Sequence, residues 1–358
     1  QSVVVNGMMP ETAATDSLAA ALREREVAAM AAMPANIADL PMDTIPLKSR
    51  NMVGVDALRT VFVDEDLVSA DVPHLPEEIA LPALDGLVDE LARDDHGLVM
   101  LMGKGGVGKT TMAAAIAVAL AQAGKTVHLT TTDPAAHLTE TLQGELENLT
   151  VSRIDPEVEI RAYQERVMRT KGAKLDEEAR ALLAEDLRSP CYEEVAVFEA
   201  FSKAVRESRR QFVVIDTAPT GHTLLLMDAT GAYHREIVRQ MTEGSQFSTP
   251  LMRLQDPDAT KVILTTLAET TPVLEAEELQ KDLRRAKIEP WAWIVNNSLL
   301  AAGPSSPLLR TRAASERPQI ARVADELSNR YAVVPLLEEE PVGIAALESL
   351  VRGEPVAR

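Results

Sequence analysis

Cysteine occurs once in the 358 residues, at Cys191. A lone thiol excludes an intrachain disulfide framework and any zinc site built from several cysteines of one chain, and it points to a reducing compartment. Aromatic residues make up only 3% of the chain, so the core must be assembled from Ala, Leu and Val. No apolar run approaches the roughly 18 residues of a membrane span. The amino-terminal stretch also lacks a charged segment followed by an apolar one. A soluble protein is expected, meeting a membrane only through a partner. Lys and Arg number 36 against 55 Asp and Glu, a formal net charge of -19. Nucleic acid and acidic lipid are bound by clustered cations, so this balance argues against both and leaves room for a small basic nucleotide pocket.

What the chain does have is a phosphate cradle, Gly103-Lys104-Gly105-Gly106-Val107-Gly108-Lys109-Thr110-Thr111. It fits G-x-x-x-x-G-K-[ST], in which glycines let backbone N–H groups close round phosphate oxygens, the lysine neutralises charge and the hydroxyl ligates Mg2+. The context is right. Gly97 to Met102 reads as a buried strand, and Thr110 to Ala123 reads as a helix whose amino terminus points at the anion. The architecture predicted is α/β, with a mostly parallel sheet flanked by helices.

Downstream, Lys125 to Thr132 is a predicted strand that ends at Asp133-Pro134-Ala135-Ala136-His137. Asp as N-cap with Pro at the first helical position explains that run structurally. Its place at a strand's carboxyl end equally suits a residue that orients an attacking water, and the residues alone leave both readings open. His137 reads as a packing or capping residue. Residues 159–209 read as a helical insertion, in which Ser189 is a predicted N-cap and Pro190 the first helical residue before Cys191. Gln211 to Asp216 is a strand of apolar residues ending in Asp, the pattern that holds Mg2+ downstream of a P-loop. It runs into Thr217-Ala218-Pro219-Thr220-Gly221-His222-Thr223, a turn-rich segment suited to moving when a γ-phosphate leaves. Further strands are predicted at 261–266, 292–296 and 331–336, with a helix capped by Thr271 and started by Pro272 and a longer one over 307–329.

The first sixty residues look like a second copy of the last sixty. Val3-Val4-Val5-Asn6 matches Trp293-Ile294-Val295-Asn296, Ile45-Pro46-Leu47 matches Val334-Pro335-Leu336, and Val53-Gly54-Val55 matches Val342-Gly343-Ile344. Asn, Pro and Gly hold register with a one-residue gap, which reads as a duplication. The expected organisation is therefore a carboxyl-terminal remnant of a first nucleotide-binding half at 1–62, an acidic, Pro-containing linker at 63–88 and a second half at 89–358. A short amphipathic helix is predicted over Leu87 to Asp94.

The P-loop with its extra early lysine, Lys104, resembles the deviant type of the septum-site, partitioning and nitrogenase-iron-protein ATPases. Together with Asp133-Pro134-Ala135-Ala136-His137, Asp186-Leu187-Arg188-Ser189-Pro190-Cys191 and Asp216-Thr217-Ala218-Pro219-Thr220-Gly221-His222-Thr223, it is similar to the second half of the arsenite-transporting ATPase family. The resemblance covers essentially the whole chain. It implies ATP hydrolysis with Mg2+, energising export of arsenite or antimonite through an integral-membrane permease, with a cytoplasmic protein held peripherally at the inner membrane. It implies that Lys104 reaches phosphates bound by the opposing half, that Lys109 and Thr110 serve the nucleotide and Mg2+ of this half, and that Asp133 lies near the attacking water. Asp216 would sit near Mg2+, and Asn296 and Pro335 would take the adenine. Cys191, His222 and Ser189 match this half's share of an As(III) or Sb(III) site between halves, and a soft trivalent ion prefers thiolate. An arsenic metallochaperone is a further implied partner. The family's other thiols lie on the first half, so one cysteine cannot build the whole site, and the partner must be that half or a second copy.

Two other functions share this fold. A targeting ATPase for tail-anchored membrane proteins carries a Cys-x-x-Cys pair and a methionine-rich helical groove; here the pair is missing and the insertion holds only Met168. A nucleotide-gated membrane scaffold needs a basic amphipathic carboxyl-terminal helix, and Ile344 to Arg358 is short and not basic enough.

Overall fold

A computed structural model describes residues 2–63, 80–133, 136, 138–218 and 249–353, and for 190–194 the backbone alone. Seven parallel strands form the main sheet: β3 (Gly97–Met102), β4 (Val127–Thr131), β5 (Leu149–Arg153), β6 (Phe212–Asp216), β7 (Thr260–Leu267), β8 (Ala292–Ser298) and β9 (Tyr331–Pro335). Their order across the sheet is β5-β4-β6-β3-β7-β8-β9. The apolar runs that mark β3, β6 and β8 are buried on both faces, as the core of a parallel sheet requires. Leu98, Met100 and Met102 point into one hydrophobic cluster and Val99 and Leu101 into the other, following the two-residue period of a strand. The chain leaves β3 to build one flank and later returns to build the other. The carboxyl end of β3 is thus a topological switch point, where open α/β sheets bind ligands.

The helix after β3, Lys109–Gln122, is buried on nearly every side. Its alanines let it lie close against the sheet, which a scarcity of aromatics had made the expected way to build this core. The amphipathic helix expected at 87–94 forms as Leu84–Leu91, burying Leu84, Leu87, Val88 and Leu91. It therefore begins inside the stretch assigned to the linker at 63–88. The carboxylate of Glu90 on it pairs with Arg330 at 2.9 Å, anchoring it beside β9.

Three elements depart from the sequence reading. β5 was not anticipated: Leu-Thr-Val-Ser-Arg is a half-exposed edge strand with no continuous apolar run. The helix expected to be capped by Thr271 and to start at Pro272 spans Thr270–Arg285, with Glu269 at the N-cap and no side-chain cap bond. The long helix expected over 307–329 is α-helical over Pro307–Arg322 and finishes as a π-turn over Val323–Leu327.

The amino-terminal segment forms its own two-stranded parallel sheet, β1 (Val3–Met8) and β2 (Met42–Pro46), with the helix Ser17–Ala31 between them. Its backbone repeats that of β8 and β9. Each pair shifts register at its carboxyl end, between Asn6 and Met8 and between Val295 and Ser298. Each shift holds a positive φ, 85° at Gly7 and 54° at Asn297. The Leu47 N–H donates to the Met8 carbonyl as the Leu336 N–H donates to that of Ser298. Before the helices Val55–Arg59 and Ile344–Arg352, Gly54 and Gly343 adopt φ 89°, ψ 159° and φ 90°, ψ 157°, a region open to glycine and almost nothing else. Met9, Ala13, Leu18 and Ala19 of this segment join the same cluster as Leu98 and Trp293.

Candidate active site

Sheet register brings the site together. In adjacent parallel strands Leu101 lies beside Asp216, and Asp216 beside Thr131, so the acid emerges at the carboxyl edge next to the loop 103–108. Two glycines of that loop are required by close approach. A Cβ at Gly103 would overlap the Thr265 carbonyl, and one at Gly108 would overlap the Asn296 amide; both residues also have positive φ. Gly108 is the left-handed N-cap of the Lys109–Gln122 helix, leaving that helix's first N–H groups turned toward the loop. Gly105, Gly106 and Val107 complete the turn, with Val107 buried.

Lys109 is buried, and its Nζ donates to the Lys104 carbonyl at 3.0 Å. Thr110, in the first helical turn, donates its hydroxyl to Asp216 Oδ2 at 2.8 Å, and Thr131 donates to the same oxygen at 3.1 Å. The other oxygen, Oδ1, is buried without a hydrogen-bond partner. Burial raises the Asp216 pKa above the usual carboxylate range against the Thr110 bond, the Lys109 charge and the Thr131 bond, and the Asp133 charge pushes it the same way. Burial lowers the Lys109 pKa, opposed by the charges of Asp216 and Asp133. Both groups are thus desolvated charges held ready for a charged ligand. A divalent cation fits here: an unpartnered carboxylate oxygen next to a threonine hydroxyl is an all-oxygen donor set of the hard kind Mg2+ prefers.

The strands leading to Asp133 and Asp216 are tied together. The Thr132 N–H donates to the Asp216 carbonyl at 2.9 Å and the Thr132 hydroxyl accepts from the Ala218 N–H at 3.0 Å. Thr217 anchors to the Leu101 carbonyl through its hydroxyl at 2.7 Å. The capping alternative for Asp133 falls on residues 134, 135 and 137, which with His137 itself lie outside the described residues; the helix that follows is Leu138–Leu142.

Asn296 is buried at the end of β8, and its Nδ2 donates to the Val107 carbonyl at 3.0 Å, locking the P-loop to the neighbouring strand and leaving Oδ1 as its acceptor. Asn296, Pro335, Gly108 and Thr111 line a cavity of about 260 Å³ that continues from the P-loop. A larger cavity of about 670 Å³ is lined by Asp16, Glu338 and Glu339 but by no P-loop residue. Of the two, only the smaller one adjoins the P-loop. The end of β8 is held by a residue that no motif singles out. Glu316, buried on the Pro307–Arg322 helix, accepts from the Ser298 hydroxyl at 2.7 Å and from the Leu299 and Leu300 N–H groups at 3.0 Å each.

Lys104 is the exposed lysine of the loop and is engaged within its own chain, its Nζ donating to the Glu275 carboxylate on the Thr270–Arg285 helix. Ser189 occupies the N-cap position of Pro190–Glu207, as expected, with Pro190 at its start and no side-chain cap bond. The Cys191 side chain and all of His222 lie outside the described residues, so of the three metalloid candidates only Ser189 is described. Among the described residues no cluster of His, Cys, Asp and Glu is placed to hold a metal ion, and no helix is long and apolar enough to cross a membrane.

The family model described as "Anion-transporting ATPase" matches residues 96–254 and 226–353. An Escherichia coli protein named "Arsenical pump-driving ATPase" is 58% identical over 352 residues, and an Acidiphilium multivorum protein of the same name is 56% identical over 356. Each match covers 98% of this chain and 60% of the relative, so the chain spans about three fifths of their length. A shorter Aquifex aeolicus relative is 32% identical over 292 residues, which is 71% of this chain and 97% of its own length.

Proposed function

The chain belongs to the anion-transporting ATPase family, and from that membership we propose that it hydrolyses ATP with Mg2+ to drive export of arsenite or antimonite. The single observation that carries the reading is the Asp216 carboxylate, with one oxygen bonded to Thr110 and Thr131 and the other buried without a partner beside the buried Lys109. Thr110 and Asp216 would hold Mg2+, which supplies charge neutralisation across the β- and γ-phosphates. The backbone N–H groups from Gly103 to Thr111 would cradle the phosphates, and Lys109 would leave the Lys104 carbonyl for them. Asp133, close enough for its charge to act on both Lys109 and Asp216, would orient the attacking water. Asn296 and Pro335 would flank the adenine.

The repeated backbone of β1–β2 and β8–β9 supports reading residues 1–62 as the tail of a first half, with 63–88 as linker and 89–358 as the second half. On that reading Lys104 serves a nucleotide in an opposing half, from the rest of a longer protein or a second copy. Cys191, His222 and Ser189 would contribute one side of an As(III) or Sb(III) site between the halves, and metalloid binding would favour their closure. The pump's other parts are an integral-membrane permease and an arsenic metallochaperone, with the ATPase cytoplasmic and peripheral at the inner membrane.

The test is steady-state ATP hydrolysis by this chain alone and mixed with a separately produced first half, with and without antimonite, alongside mass measurement to detect dimers. Mg2+-dependent hydrolysis that antimonite stimulates only in the mixture is expected. Hydrolysis unaffected by Lys109→Ala would overturn the assignment of the P-loop, and strong antimonite stimulation of a monomeric isolated chain would overturn the shared metalloid site.

A further inference from the structure

The cavity that adjoins the P-loop is lined in part by a residue of the amino-terminal segment. Arg25 lies on the Ser17–Ala31 helix, far in sequence from the P-loop, yet it lines the same cavity as Gly108, Thr111, Asn296 and Pro335. Its Nη2 donates to Glu340 Oε1 at 3.0 Å, and its Nη1 points at the Leu337 carbonyl, 3.5 Å away. Both acceptors belong to the stretch after β9 that forms the cavity's outer lip.

Three properties fit this guanidinium to a nucleoside. It is planar and weakly hydrated, so it can stack on a purine face or donate two parallel hydrogen bonds to ring nitrogens or ribose oxygens. It carries no acceptor, which suits a pocket whose lining also includes Asn296, an amide whose donor side is taken by the Val107 carbonyl and whose oxygen is left as acceptor. Its present partner is weak: the Arg25 and Glu340 side chains are 39% and 73% exposed, and ion pairs at such sites are worth little. Exchanging Glu340 for a ligand therefore costs little.

Resting on the ATPase reading of this P-loop, we infer that Arg25 is a nucleoside-contacting residue of the second half's site, supplied from the segment that precedes the linker. The phosphates are held by the P-loop alone, while the base and ribose lie between the Asn296 and Pro335 wall and Arg25. Occupancy of this site is then felt directly by the Ser17–Ala31 helix.

Calorimetric titration of the full 358-residue chain with Mg-ATP, Mg-ADP and base-free tripolyphosphate tests this. Arg25→Ala is expected to weaken ATP and ADP by about tenfold, the value of one charge-assisted contact, and to leave tripolyphosphate within about twofold. Arg25→Lys, which keeps the charge without the planar fork, is expected to fall between. Unchanged ATP affinity in Arg25→Ala, or an equal loss for tripolyphosphate, overturns the inference. Glu340→Gln removes the competing partner and is expected to hold or tighten ATP binding. If it instead weakens ATP as much as Arg25→Ala does, Arg25 acts only by strapping the lip and the direct contact is refuted. A wild-type chain that binds neither ATP nor tripolyphosphate would sink the underlying ATPase reading together with this one, whereas tripolyphosphate binding that survives in every variant leaves that reading standing.

Discussion

Asp16 and Ser306 stand at corresponding places in the repeated segments, each at the N-cap of the helix that joins the two strands of its pair, and they bond to one another. Asp16 Oδ1 accepts from the Ala19 N–H at 2.7 Å inside its own helix, while Oδ2 accepts from the Ser306 N–H at 2.7 Å and the Ser305 N–H at 2.6 Å. The Ser306 hydroxyl answers by donating to the Ala13 carbonyl at 2.7 Å. One carboxylate thus binds N–H groups at the amino-terminal ends of both helices.

Removing that carboxylate should loosen the amino-terminal segment from the ATPase body. Burial raises the Asp16 pKa, but the N–H groups of Ala19, Ser306 and Ser305 outweigh it and hold the pKa below the usual carboxylate value. A depressed folded pKa gives stability that is present above the unfolded value of about 3.9 and is lost as pH falls through the folded one. Asp16→Ala is expected to cost about 1–2 kcal/mol in urea unfolding at pH 7, the usual range for a lost cap. The gap to wild type should close below about pH 4, and a gap that persists into strong acid would show that charge is not its source.

Asp216 should trade stability for activity. The carboxylate is fully buried with one oxygen unpartnered, so its charge opposes folding until a cation arrives. Asp216→Asn keeps the shape and removes the charge. In Mg2+-free buffer its melting temperature is expected to equal or exceed that of wild type, while Mg-ATP hydrolysis drops by about 100-fold or more. Unfolding of the variant together with loss of activity would mean the carboxylate is structural.

Glu275 should restrain Lys104. The pair is largely solvent-exposed on the lysine side, and such pairs are worth up to about 1 kcal/mol. Glu275→Gln should therefore release Lys104 and raise ATP-dependent association with an opposing half by up to about fivefold. Lys104→Ala should abolish that association with ATP binding to the isolated chain retained. Analytical ultracentrifugation with and without ATP reads both, and weaker association in Glu275→Gln would show that the acid positions the lysine rather than holding it back.

The nucleotide site was legible because its parts are short-range chemistry. Glycines at 103 and 108, a lysine at 109 and a threonine at 110 act through backbone conformation and donors within one loop, and that pattern survives in a linear reading. The strand ending in Asp216 was legible for the same reason, since a buried strand must be apolar until it emerges. β5 was not, because a half-exposed edge strand needs no apolar run. The duplication showed itself in Asn, Pro and Gly at fixed register, although only the backbone angles at Gly54 and Gly343 reveal why glycine recurs there.

By itself, then, the sequence determined most of the elements and the glycine-rich loop at 103–111, because those follow from dihedral preference, hydrophobic period and local donors. Only the tertiary structure decided that Thr110 and Thr131 share one oxygen of Asp216, that Glu316 pins the end of β8, that Glu275 holds Lys104 and that Arg25 lines one cavity with Asn296. Each of these is a contact between residues far apart in the chain, and no local pattern encodes which distant side chain the packed sheet will bring within reach.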